Sequence, residues 1–348
     1  MTTQLFSLII AAALLGCAKS NTPAGSNEPV IPAPVEQAAS APLRTVNVST
    51  ASQLKAALLD ARPGDDIILA NGTYSGKFVV AAGKDGTAVN PITLRGSRQA
   101  VLDAGSIQTG YVLHLQSSYW IVKGITLTNG LKGLMADGIR NCEIDSVAVN
   151  NIGEEGIHLR KFSAQNTVRR CTVSHVGLKT PDYGEGIYIG SAKSNWASYT
   201  NGLPDKCDSN QVLNNHIGPN VTAECIDVKE GTTAGIIRNN YFDATGITGA
   251  NSGDSWIDVK GNNYLIESNT GFNPGGTIFK DGYQVHVVLS GWGNNNIFKS
   301  NQCTVNTSGY GFNIQLSGSN GTTTGNKVYT SNTVSGAGSG VANIPLTN

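Results

Sequence analysis

The chain carries little charge for its length. Of its 348 residues only 14% are Asp, Glu, Lys or Arg, and the formal net charge is zero. This balance excludes the broad basic field that nucleic-acid-binding proteins use, so we expect no nucleic-acid partner. Any anionic polymer must instead be held by a local group of cations. The 42 glycines, with many Asn, Ser and Thr residues, indicate a chain rich in tight turns.

Signatures of several common enzyme classes are also missing. The sequence contains no Gly-x-Ser-x-Gly elbow, no Walker loop, no Cys-x-x-Cys zinc pair and no His-Glu-x-x-His motif. A pectin hydrolase would need closely spaced Asp groups acting as acid and base, and no such cluster occurs on the outward positions described next. No long helical pattern interrupts residues 65–345. The absence of a long helical pattern favours an all-β chain.

Four short segments align with one another at steps of 30, 39 and 31 residues. Each has two aliphatic residues two positions apart, which is typical of a strand with one buried face. The segments are Glu155–Arg160, Glu185–Gly190, Glu224–Lys229 and Ser255–Lys260. Stacked as parallel strands about 5 Å apart, they would place the residues of opposite parity in one exposed stripe. That stripe would contain His158, Arg160, Tyr188, Asp227, Lys229, Asp258 and Lys260.

A second pattern places Asn residues 25, 29, 32 and 31 positions apart, at Asn215, Asn240, Asn269, Asn301 and Asn332. Such periods are typical of solenoids, and stacked Asn side chains can bond along the axis. An antiparallel sandwich would instead show turns about every 8–12 residues. We therefore predict a right-handed parallel β-helix over residues 44–348, monomeric, with roughly nine or ten coils.

Cys142 and Cys171 extend the Asn column backwards. Because they would lie on successive coils, either a disulfide or two buried free thiols fits the pattern.

Residues 50–61 are predicted to form a capping helix. Thr50 and Gln53 fit a capping box, while Leu54 and Leu58 belong to an apolar face at helical spacing. Such a helix would cover the open end of the first coil and so prevent edge-to-edge aggregation.

The first residues resemble a targeting signal. Residues 1–17 form an apolar run ending in Leu14-Leu15-Gly16-Cys17, which is similar to a bacterial lipobox, and residues 18–43 have the composition of a flexible tether. We expect a protein that is secreted or anchored to the outer membrane by a lipid on Cys17. An ordinary secretory signal with an incidental Cys17 is the alternative.

Two stretches resemble the polysaccharide lyases of the alginate lyase and chondroitinase B family. The first runs from Ser52 to Arg95 and is similar to that family's cap and first coils. The second, Glu224-Cys-Ile-Asp-Val-Lys229, resembles the segment that holds a calcium-binding Glu and, five residues later, the Lys that acts as Brønsted base. The resemblance implies a pectate-lyase-like solenoid that uses Ca²⁺. The chain departs from the family at Thr222, where a second acidic ligand is expected, and at Asp258-Val-Lys260-Gly261, which replaces Arg-His-Gly.

β-Elimination from a uronate requires a neutralised carboxylate, a base and an acid. Ca²⁺ suits the first role because it binds carboxylate oxygens. The predicted metal ligands are Glu155, Glu185, Glu224 and Asp227. Lys229 is the predicted base, with a pKa lowered by neighbouring cations.

The other outward residues receive supporting roles. Lys260 and Arg160 are predicted to hold substrate carboxylates or to stabilise the enolate-like intermediate, and His158 and Tyr188 are candidate proton donors. Trp196 and Tyr199, in an insertion over residues 191–209, suit sugar stacking. The complete set of predicted substrate-binding residues is Asp258, Trp196, Tyr199 and Trp256.

The first hypothesis is therefore a lyase acting on an acidic, uronate-containing polysaccharide. Two alternatives use the same scaffold, a uronate C5-epimerase and a non-catalytic glycan-binding or adhesive β-helix. The pattern leaves open which polymer is bound and whether cleavage is endolytic or exolytic.

Overall fold

The computed structural model describes residues 41–249, 253–275 and 278–348. The signal and lipobox predictions, and most of the predicted tether, lie outside these residues. Within them the chain forms a right-handed parallel β-helix, which confirms the predicted fold. None of the described helices is both long and apolar enough to cross a membrane.

Three parallel sheets run along the β-helix, with twelve, ten and ten strands in the described residues, slightly more coils than predicted. The twelve-stranded sheet comprises, in bonded order, Arg44–Val48, Asp65–Leu69, Ile92–Arg95, Trp120–Lys123, Glu143–Asp145, Thr167–Arg169, Gln211–Leu213, Ile236–Arg238, Leu265–Glu267, Ile297–Lys299, Lys327–Tyr329 and Leu346–Thr347. The second sheet, called the site sheet below, comprises Phe78–Val80, Tyr111–Leu115, Lys132–Asp137, Ile157–Arg160, Ile187–Ile189, Ile226–Val228, Ile257–Val259, Tyr283–Val285, Tyr310–Ile314 and Gly340–Ala342. The third comprises Gly72–Ser75, Ala100–Asp103, Thr126–Thr128, Ala148–Asn150, Thr172–Ser174, His216–Ile217, Tyr241–Asp243, Thr270–Phe272, Gln302–Thr307 and Thr333–Ala337.

The predicted Asn column is a hydrogen-bonded ladder at one turn of each coil. Each Asn side chain donates from Nδ2 to Oδ1 of the next, at 2.9–3.0 Å, from Asn215 to Asn332. The residues before four of these positions have φ between +55° and +57°, namely Asn214, Asn239, Ser268 and Ser300. This left-handed conformation turns the chain sharply between two sheets.

Both cysteines at the N-terminal end of the ladder are free thiols. They are buried, and burial raises the pKa of Cys142 and of Cys171 to about 12. The open question between a disulfide and free thiols is thus resolved in favour of free, unreactive thiols.

Helix α1 (Ala51–Leu59) covers the first coil as predicted. Thr50 accepts a hydrogen bond from the Gln53 amide at 3.2 Å, and Gln53 Oε1 accepts one from the Ser49 amide at 2.8 Å. Leu54 and Leu58 are buried against the core. The other helical segments are two 3₁₀ turns, Pro181–Tyr183 and Lys193–Asn195, and a short helix α2 (Trp196–Tyr199).

Candidate active site

The four aligned segments are neighbouring strands of the site sheet. Ile157 pairs with Ile187, Ile187 with Ile226, and Ile226 with Ile257. The sequence alignment is therefore the structural register. It places Arg160, Lys229 and Lys260 in one outward column, and His158, Tyr188, Asp227 and Asp258 in another.

These outward side chains are not the exposed stripe that the sequence suggested. Tyr188 is 9% exposed, Lys260 8% and Asp227 1%. They are buried because opposite charges pair across adjacent strands and because the insertion 191–209 lies over part of the sheet. Buried charges of this kind persist only when they are paired.

A chain of alternating charges crosses three strands of the site sheet. Asp227 contacts Lys229 Nζ at 2.5 Å and Lys260 Nζ at 2.8 Å. Lys260 also contacts Asp258 at 2.6 Å, and the other Asp258 oxygen contacts His286 Nδ1 at 2.8 Å. Both oxygens of Asp258 thus have a cationic partner, and its predicted contact with substrate stays a prediction. His286 was missed, although it shares the outward column of Lys260.

Three carboxylates meet beside Lys229. Glu185, Glu224 and Asp227 each offer an oxygen, and these oxygens lie within 4.8 Å of one another. Burial, followed by the charges of Glu155 and Asp227, raises the pKa of Glu185 to about 8. Burial and Asp227 likewise raise the pKa of Glu224. One oxygen of Glu185, Oε2, is buried without a hydrogen-bond partner.

Glu155 does not belong to this group, contrary to the prediction. Its carboxylate pairs with Lys132 from the preceding coil and lies 3.4 Å from His158 Nδ1. Burial alone would raise the pKa of Glu155, but His158 and Lys132 lower it to about 2. Lys132 was missed because its strand falls outside the aligned segments, although it occupies the column of the three glutamates.

The pKa of Lys229 is raised, where the sequence suggested that it would be lowered. Burial is the largest single effect and lowers this pKa, but Asp227, Glu185 and Glu224 together raise it by more. The expectation considered the neighbouring cations and not the carboxylates packed between them.

Tyr188 lies directly beside Lys229. The Lys229 ammonium is 4.9 Å from the centre of the Tyr188 ring. Burial and the charge of Asp227 raise the pKa of Tyr188 well above its ordinary value, which keeps its hydroxyl protonated. His158 packs edge-on against this ring at 4.3 Å, and its Nε2 bonds to the Gly190 carbonyl at 2.9 Å. This contact with His158 helps to fix the position of the Tyr188 ring.

Arg160 is held by a second charged group. Its guanidinium contacts Asp137 at 2.6 Å and lies 4.3 Å from the centre of the Tyr199 ring. Asp137 also contacts His114 at 3.0 Å and Lys161 at 3.2 Å. Asp137 was missed, although it is the register partner of Arg160. Tyr199, predicted to contact substrate, is half-buried over this group.

The two tryptophans predicted to bind substrate are structural. Trp196 is buried, and its indole donates to the Ser191 carbonyl at 2.9 Å, which anchors the insertion. Trp256 points into the core, where it packs on Phe279 at 5.0 Å between ring centres. Glycine at 271 makes room for it, because a Cβ there would come within 2.5 Å of the indole.

Residues 35–187 match the family model of Pel9A-like right-handed β-helix regions. A solved alginate lyase from Paenibacillus sp. str. FPU-7 is 40% identical, over 86% of this chain and 99% of that one, with a TM-score of 0.80. This chain belongs to the β-helix polysaccharide lyases. No curated protein sequence matches it.

Two more distant structures show how widely lyases share this scaffold. Pectate lyase Pel9A is 14% identical over 87% of this chain and 79% of its own, with a TM-score of 0.55. The alginate lyase AlyGC of family PL6 is 19% identical over 78% of this chain and 40% of its own, with a TM-score of 0.51. The resemblance predicted from the cap and from Glu224–Lys229 is thus confirmed for family and fold. In this polysaccharide lyase, a lysine ammonium, a neutral phenol and three carboxylates lie close together at the site sheet.

Proposed function

We propose that this lyase cleaves a uronate-containing polysaccharide by β-elimination, with alginate as the first candidate. The observation that carries the proposal is the adjacency of Lys229 and Tyr188, with the Lys229 ammonium 4.9 Å from the centre of the Tyr188 ring. The 40% identity to an alginate lyase supports the choice of polymer. Lys260, held between Asp227 and Asp258, is the cation available to attract a substrate carboxylate.

In this mechanism the neutral Lys229 amine removes the proton from the carbon beside the uronate carboxylate. The electron pair forms the carbon–carbon double bond as the bond to the leaving oxygen breaks. The Tyr188 hydroxyl gives its proton to that oxygen. A proton then passes from the Lys229 ammonium to the Tyr188 phenolate, which restores both groups for the next turnover.

The carboxylates of Glu185, Glu224 and Asp227 fit a calcium ion. Ca²⁺ prefers oxygen ligands in flexible geometry, and the unpartnered Glu185 Oε2 is a buried acceptor in need of a donor or a cation. Thr222, at the position where related lyases carry an acidic ligand, donates instead to the Pro181 carbonyl at 3.0 Å. A bound calcium ion would neutralise the substrate carboxylate and offset the charges that raise the pKa of Lys229.

Calcium is expected to raise the melting temperature more at pH 8 than at pH 5. The pKa of Glu185 is raised from 4.5 to about 8, so without a cation the folded state loses stability as the pH rises through this interval. A cation that binds the ionised carboxylates restores that stability. The measurement is thermal unfolding at both pH values, with calcium or with chelator.

Glu185→Gln should abolish the calcium-dependent shift and make the chelated protein more stable at pH 8. Glu143→Gln is the matched control, since Glu143 lies on another sheet and pairs with Arg169. An equal calcium response in wild type and Glu185→Gln would contradict the assignment.

The substrate is tested with a panel of alginate, pectate, glucuronan, a glycosaminoglycan and a neutral glucan. We expect the ultraviolet absorbance of an unsaturated uronate to grow with one acidic polymer, faster with calcium than with chelator. Altered uronate composition without chain scission would indicate an epimerase. Saturable binding without product would indicate a glycan-binding protein, and either result would reject the lyase mechanism.

The lyase would act outside the cytoplasm. We base this location on the signal-like residues 1–17 and on the size of the polymer, which the enzyme must reach at the place where the polymer occurs.

A further inference from the structure

The outward columns of the site sheet continue beyond the two lysines. Val259 pairs with Val285, and Val285 with Ile314. The register therefore places His286 and Gln315 in line with Lys260 on the next two strands. Since neighbouring strands lie about 5 Å apart, Gln315 is about 10 Å beyond Lys260 along the β-helix axis. The outward side chains change here from ammonium groups to imidazole and amide groups.

A cavity of about 370 Å³ opens at this end of the site sheet. Its lining includes His286, Asn313, Gln315, Ser317 and Asn343. Its volume lies within the range of about 300–1,000 Å³ that is usual for small-molecule sites. Ser317 belongs to a small antiparallel hairpin, Ser317–Gly318 with Gly321–Thr322, which leaves the β-helix at this point.

Polar atoms along this part of the sheet remain available for a ligand. His286 uses Nδ1 for Asp258, which leaves Nε2. Asn313 donates from Nδ2 to Asp281 at 2.9 Å, which leaves its carbonyl oxygen. Gln315 accepts from the Val287 amide through Oε1, which leaves its own NH₂ group.

We propose that this cavity is a saccharide subsite that binds a sugar unit of the polymer through its hydroxyl groups. The inference rests on the proposed function, because it assumes a sugar chain seated at Lys229. Imidazole and amide groups can donate to and accept from hydroxyl groups, and no lysine or arginine is among the described residues that line the cavity. The unit bound there is recognised without its carboxylate, whereas the unit beside Lys229 and Lys260 is recognised through it. The polymer lies along the site sheet towards the C-terminal coils.

The test compares uronate oligomers of increasing length on the full enzyme. Wild type should cleave oligomers that reach the cavity with a higher kcat/KM than short ones. Ser317→Trp should fill the cavity and lower this long-to-short ratio by about tenfold, chiefly through KM. Asn313→Ala removes one hydrogen bond and should lower the ratio by roughly three- to tenfold. Ser319→Trp, on the exposed turn of the same hairpin, is the matched control and should keep the wild-type ratio.

A second substrate tests the chemistry of recognition. An oligomer whose distal unit has its carboxyl group reduced to an alcohol should keep the length advantage, and loss of that advantage would overturn recognition through hydroxyl groups. A wild-type ratio in Ser317→Trp, or an equal loss in Ser319→Trp, would overturn the subsite. Activity of wild type without any length dependence would overturn the subsite alone. No cleavage of any uronate oligomer would overturn the proposed function together with it.

Discussion

Replacing Lys229 with alanine is expected to lower kcat by about 10²- to 10⁴-fold, the usual contribution of a general base. The fold should remain, because Asp227 keeps its contact with Lys260 at 2.8 Å. The measurement is the initial rate of unsaturated product formation, with circular dichroism as the test of folding. The loss should appear in kcat and in kcat/KM alike, because the amine acts in the transition state.

Two further variants distinguish the role of Lys229 as a base from the role of its positive charge. Lys229→Arg keeps the positive charge beside Asp227, but a guanidinium does not lose its proton, so it should be nearly as inactive as alanine. Lys206→Ala removes an exposed lysine from the insertion and should leave the rate unchanged. Substantial activity in Lys229→Arg would show that the cation matters rather than the base.

The carboxylates around Lys229 also determine how the rate depends on pH. Because they raise its pKa, the ammonium form dominates in the free enzyme, and the rate should rise with pH as the amine appears. Calcium among Glu185, Glu224 and Asp227 should shift this rise to lower pH. A rate that falls as the pH rises would contradict the role of Lys229 as the base.

Asp137→Ala is expected to lower the free energy of unfolding by about 3–5 kcal/mol, the usual cost of leaving a buried charge without its partner. Asp137 contacts Arg160 at 2.6 Å, and Arg160 is 6% exposed beneath Tyr199. Arg160 cannot release its proton, so the uncompensated charge must stay buried or pull the insertion open. Urea unfolding and thermal melting measure the loss, which corresponds to a fall in melting temperature of about 10 °C.

Asp60→Ala is the control for this prediction. Asp60 also pairs with an arginine, Arg44, at 2.7 Å, but the side chains of Asp60 and Arg44 are 55% and 36% exposed. Exposed ion pairs contribute little, so the melting temperature should hardly change. Equal losses in the two variants would mean that burial of the Asp137 pair is unimportant.

Lowering the pH should destabilise the wild-type protein in part of the way that Asp137→Ala does. Burial would raise the pKa of Asp137, but His114 and Arg160 lower it below its ordinary value. The stability from this pairing is therefore present above the pKa of an unfolded Asp and is lost as the pH falls.

The repeating features of the fold could be predicted from the sequence because they depend on local periodicity. Alternating aliphatics in Ile157–Arg160 and its three counterparts determine which side chains face outward, and one register error would reverse every face. The Asn column at Asn215–Asn332 marks the same turn in successive coils. The capping box at Thr50 depends on three neighbouring residues.

The residues of the site could be predicted only where they belong to the four aligned segments. Lys229, Tyr188, Glu185 and Glu224 come together as their shared columns suggested. Lys132, Asp137 and His286 occupy the same columns, but their strands lack the repeated sequence, so no pattern pointed to them.

The period, the faces of the strands and the cap follow from the sequence alone, since each depends on residues close together in the chain. The tertiary structure sets which charges pair, which is why Glu155 pairs with Lys132 and why the pKa of Lys229 rises. It also decided that Trp256 turns into the core, because the space there is left by Gly271 on the same coil and Gly282 on the next. Pairing and burial depend on neighbours that lie 20 to 40 residues away along the chain and about 5 Å away in space.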